Sequence, residues 1–127
     1  MAQAQSSGLP SAARTASTTS GPQTNPKSIL GMLVYLDVTA ASGTGGLQVQ
    51  VLGIDPVSGA AFALNALPTA VTTIGTFAYV IGPGCSTAAG DIKQATSGIV
   101  PPQFEIRVTH GDNSSYTYSV GYSLMEW

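Results

Sequence analysis

Tyr116-Thr117-Tyr118-Ser119-Val120-Gly121-Tyr122-Ser123-Leu124 alternates large apolar or aromatic side chains with small or hydroxylated ones. Successive side chains of an extended chain point to opposite faces. Tyr116, Tyr118, Val120, Tyr122 and Leu124 therefore share one face, and Thr117, Ser119, Gly121 and Ser123 share the other. This is a strand with one face in a core. The same period precedes it in Phe104, Ile106 and Val108, opposed by Glu105, Arg107 and Thr109. The turn-forming residues His110 to Ser114 join the two runs, which predicts a hairpin.

The pattern recurs toward the N-terminus. Met32, Val34, Leu36 and Val38 alternate with Leu33, Tyr35 and Asp37; after the turn Ser42–Gly46 (SGTGG), Leu47, Val49 and Val51 alternate with Gln48 and Gln50. These two runs read as neighbours in a meander or hairpin. Asp55-Pro56-Val57-Ser58-Gly59 is a further turn: Pro restricts φ, Asp and Ser bond local backbone, and Gly accepts positive φ. A strand over 60–67 follows, then one over 72–81, with a short one near Ala70. Residues 82–102, rich in Gly, Ala, Ser and Thr, read as a long surface loop. Six or seven short strands with no amphipathic helical window predict an all-β, antiparallel β-sandwich or jelly-roll-like domain.

At 127 residues there is room for one domain. Asp, Glu, Lys and Arg make up 8% of the chain, against roughly 25% in an ordinary soluble domain. Ser and Thr, 14 of each, carry much of the polarity, while 15 Gly and 8 Pro supply turns. A surface this poor in charge suits contact with other protein.

Residues 1–28 contain no Ile, Val, Phe, Tyr or Trp. They read as an extended, low-complexity N-terminal arm on a sandwich body spanning 29–127. Pro10, Pro22 and Pro26 favour extended backbone in the arm, and Arg14 and Lys27 give it a charge of +2, against −4 for the remainder. These five residues are the expected partner contacts, and removal of the arm should leave the body folded. Terminal Trp127 is a sixth candidate; it either anchors in a neighbour's pocket or packs back on its own sheet.

The chain is poor in catalytic groups. Its one His, His110, lies in a turn with no nucleophile and base to form a constellation, and a lone imidazole makes a poor zinc site. The Asp55 and Asp112 turns match no calcium loop, and SGTGG lacks the Lys and following helix of a phosphate-cradling loop. Cys85 has no partner within the chain for a disulfide, which leaves an intermolecular bridge or a small loop residue. No apolar signal region or membrane-length run is present, and two basic residues in the arm are too few for a nucleic-acid site. The expectation is a protein that is not an enzyme and uses no cofactor, metal, nucleic acid or membrane. The tyrosine row could serve as a sugar-stacking platform, but its alternation with small polar residues favours core packing.

Val34–Thr39 with Gly45-Gly46-Leu47, Gly53–Gly59, Phe104–Asp112 and Thr117–Tyr122 together resemble small virion proteins of tailed bacteriophages, over residues 33–124. The resemblance implies a head decoration, or cement, protein. Such a protein is made in the host cytoplasm and binds the capsid exterior as a dimer or trimer. There it ties the major capsid protein and neighbouring copies together. Alternatives are a neck, tail or baseplate component and, in another class, a carbohydrate-binding module.

Overall fold

The alternating runs become strands because each places one face in a shared core. The computed structural model describes residues 3–25 and 29–125. In chain order the strands are β1 (Gln3–Arg14), β2 (Thr18–Thr19), β3 (Gln23–Thr24), β4 (Gly31–Ala41), β5 (Leu47–Ile54), β6 (Ala61–Ala63), β7 (Gly75–Gly82), β8 (Ile92–Ser97), β9 (Gln103–His110) and β10 (Tyr116–Met125). One sheet runs β1-β10-β4-β7-β8; the other runs β2-β9-β5-β6, with β3 also on β9. All pairings are antiparallel except β7 with β8. Between the sheets lie Met32, Val34, Leu36 and Val38 of β4, Phe104, Ile106 and Val108 of β9, and the alternate residues of β5, β7 and β10.

The connectivity is that of a jelly roll. With β8 set aside, and β2 and β3 counted as one interrupted strand along β9, each sheet has four strands. Only β5 and β6 form a hairpin, and most other connections cross between the sheets. Two expected pairings are thereby corrected. β9 and β10 are not a hairpin, since β9 pairs with β5 and β10 with β4. β4 and β5, although consecutive, also lie in opposite sheets. In both cases the turn spans the core instead of folding a strand back on its neighbour. The two turns interlock at one end of the sandwich. Gly45 N–H donates to Asp112 Oδ2 at 3.0 Å, and a Cβ on Gly45 would collide with Asp112. The stretch 82–102 is not all loop either, because β8 pairs parallel with β7 from Ala78↔Ile92 to Gly82↔Ser97.

Nor do residues 3–25 stand apart from the body. β1 pairs along β10 from Gln3↔Met125 to Arg14↔Tyr116, while β2 and β3 complete the edge of the opposite sheet. Low complexity does not prevent this, since ladder bonds use backbone groups that every residue other than Pro carries in full. Leu9, 7% exposed, joins the core. Side chains secure the rest. Arg14 donates to the Tyr118 carbonyl at 2.8 Å and lies 4.7 Å from that tyrosine's ring centroid. Tyr122 OH donates to Gln23 Oε1 at 3.0 Å, and Asn25 is buried against Ile29 and Val100.

His110 packs into the same corner. Its Nε2 lies 2.8 Å from Tyr118 OH, while Nδ1 is buried without a hydrogen-bond partner. An imidazolium would place an unpaired N–H at Nδ1, close to the Arg14 cation. Burial first, and Arg14 second, hold the imidazole below its ordinary value of 6.5, with Asp112 opposing. The unfolded chain therefore takes up this proton at higher pH than the folded one. Stability is highest above the ordinary value and falls as pH drops through it toward the depressed folded value.

Two outcomes are expected. Deleting residues 1–28 strips an edge from both sheets, so circular dichroism melts should show loss of the cooperative transition; Leu9→Ala alone should cost about 2–4 kcal/mol in urea titrations. An intact, cooperatively melting truncated body would show the segment to be dispensable. Urea midpoints of the full chain should also fall between pH 7.5 and 5.5, a window above the carboxylate titrations, and His110→Gln should flatten that dependence. A wild-type midpoint constant across this window would contradict the depressed imidazole.

Candidate interaction surface

From Pro56 through Gly90 the sequence carries no Asp, Glu, Lys or Arg. Much of that stretch is on the surface. Within 56–67 only Leu64 and Asn65 are withdrawn from solvent, and three large apolar side chains stand out: Val57 94% exposed, Phe62 51% and Leu67 52%. Single exposed apolar residues are ordinary, but several along one stretch without charged side chains make a candidate contact surface.

Local chemistry holds this edge in shape. Asp55 Oδ1 accepts the Val57 N–H at 2.8 Å and the Ser58 N–H at 3.3 Å, and Ser58 Oγ accepts the Ala60 N–H at 3.1 Å. The Val57 and Ser58 backbone donors hold the Asp55 carboxyl below its ordinary value of 3.8. Val57 is thus displayed at the tip of an internally bonded turn. Phe62 pairs with Gly53, and its ring lies where any Cβ at position 53 would be.

β6 is the outermost strand of its sheet. Asp55 N–H donates to Ala60 O and Leu64 N–H to Val51 O, both at 2.8 Å, so the backbone groups of residues 60, 62 and 64 face β5. Those of Ala61 and Ala63 face outward, with small side chains beside them. Beyond β6, the Asn65 side chain continues the edge: Oδ1 accepts Val51 N–H at 2.8 Å, and Nδ2 donates to Val49 O at 3.3 Å and to Gln94 Oε1 at 2.6 Å. Gln94 donates in turn to Ala66 O at 2.9 Å, tying the edge to β8 of the other sheet. An edge with outward-facing backbone groups and apolar flanks can accept a partner strand and bury the side chains around it.

Of the contacts expected from the sequence, the three among the described residues do not share one site. Pro10 and Pro22 are exposed and separate, Pro10 in β1 and Pro22 between β2 and β3. Arg14 is bound within its own chain, donating also to Pro10 O at 2.6 Å. Pro26, Lys27 and Trp127 lie outside the described residues. The tyrosine row is core: Tyr116, Tyr118 and Tyr122 are 1%, 0% and 5% exposed, which removes them as a sugar-stacking platform. Among the described residues no group of three or more His, Cys, Asp or Glu could hold a metal ion. Sequence reasoning missed the β6 edge, although the charge gap that marks it was legible.

No protein family and no curated protein matches the chain. Among solved structures it overlays on a chain in the structure of infectious bursal disease virus Gx strain, with a TM-score of 0.42 and 14% identity over 96% of this chain and 31% of that one. A chain in the structure of the Gt strain gives a TM-score of 0.44 and 14% identity, over 97% of this chain and 33% of that one. The chain spans about a third of the length of those chains, and likeness at this level identifies neither partner nor activity.

Proposed function

We propose that this chain is a non-enzymatic structural protein of a virion, a decoration or cement protein that docks on the outer face of a capsid lattice. The uncharged, apolar β6 edge carries the reading: a preformed strand edge flanked by Val57, Phe62 and Leu67 is suited to a dry protein contact. The phage-like sequence blocks and the low overall charge support it. Repetition on a shell multiplies the effect of a modest individual contact.

The test is the stoichiometry of the chain against the major capsid protein in purified particles. About one chain per capsid subunit is expected from lattice repetition; a few per hundred would assign it to the neck or tail, and absence from particles would overturn the virion role. Val57→Asp and Leu67→Asp should each lower occupancy about ten-fold or more with unchanged melting, because a charge would be buried without a partner. Full occupancy in both would remove the β6 edge from the contact.

A further inference from the structure

Beside the β6 edge the chain forms a pocket of about 130 Å³, open to solvent and lined by Thr69, Val71, Thr72, Thr73, Phe77 and Lys93 among others. Its rim is held in place: Leu47 N–H donates to Val71 O at 2.9 Å and Val71 N–H to Leu47 O at 2.8 Å, fastening the 69–73 segment to β5. Lys93, on β8, places its Nζ 4.9 Å from the Phe77 ring centroid at the pocket wall. It is the only Lys or Arg between residues 28 and 106. No carboxylate lines the pocket, and the hydroxyls of Thr69, Thr72 and Thr73 are not engaged in hydrogen bonds within the described chain.

We propose that this pocket binds a compact oxyanion of phosphate or sulfate size. An ammonium group with no ion pair among the described residues and three hydroxyl-bearing side chains around a concave space supply charge and hydrogen bonds to such a group. The size agrees, since a cavity of roughly 150 Å³ accommodates a six-membered ring and a tetrahedral oxyanion is smaller. Phe77 and Val71 form an apolar wall on one side, and the nearest acid in sequence, Asp91, is not among the lining residues. This site is independent of the capsid reading.

The experiment is a nitrogen-15 amide NMR titration of the full chain with inorganic phosphate, and separately with sulfate, at ionic strength held constant with sodium chloride. The expected result is saturable shifts at Thr72, Thr73 and Lys93, with a Kd on the order of 1 mM. Lys93→Gln should weaken binding about ten-fold, the loss of one charge-assisted contact, and Lys93→Arg should restore most of it. Saturation by both anions supports a general oxyanion site, and saturation by phosphate alone narrows it to phosphate groups. Shifts that rise without saturating, or that Lys93→Gln leaves unchanged, would overturn the proposal and leave Lys93 as a cover over Phe77.

Discussion

The pairing of β10 on both sides, with β1 and with β4, is the constraint on which the rest of the structure depends. β10 lends its inward face to the core and its backbone to two neighbours. Its tyrosines do more than fill space. A tyrosine buries a large apolar ring yet keeps one polar atom that needs a partner. Here those atoms find partners at the rim: Tyr116 OH accepts the Gly46 N–H at 2.9 Å, and Tyr122 OH reaches Gln23 in the N-terminal segment. Tyr79 on β7 differs, its hydroxyl buried without a partner among the described residues and its pKa pushed up to about 12 by burial.

β1 closes one side of the sandwich, and β6 and β8 form the edges of the opposite side. There β6 has only three residues, its outward backbone groups have no partner strand among the described residues, and residues 56–67 carry no charged side chain, the Asp55 carboxylate standing at the base of the turn before them. Natural edge strands are commonly blunted by Lys, Pro or bulges. The β1 edge follows that practice, with Pro10, two register shifts and the Arg14 guanidinium over the Pro10 and Ala12 carbonyls. The β6 edge lacks these devices apart from its shortness.

Strand existence was legible in the sequence wherever one face is buried. β4, β5, β7, β9 and β10 each carry an alternating run, and the Asp55 turn follows from its residue types. β1, β2 and β3 were hidden because Gln, Ser, Ala and Thr show no apolar alternation; they are strands through backbone pairing to partners far along the chain. β8 was hidden for the same reason, as its Ile92 to Ser97 stretch keeps no large side chain in the core. Of the candidate contacts, Arg14 was singled out for its charge, and its guanidinium bonds the Pro10, Ala12 and Tyr118 carbonyls of its own chain.

The sequence by itself determined the all-β class, the burial of the tyrosine face and the near absence of surface charge, because periodicity and composition are local properties. Only the tertiary structure decided which strands are neighbours, that the N-terminal segment belongs to the sandwich, and which edge stays open. Those depend on backbone hydrogen bonds between residues as distant as Gln3 and Met125. Such bonds are nearly blind to side-chain identity, so a one-dimensional pattern of side chains carries little record of them.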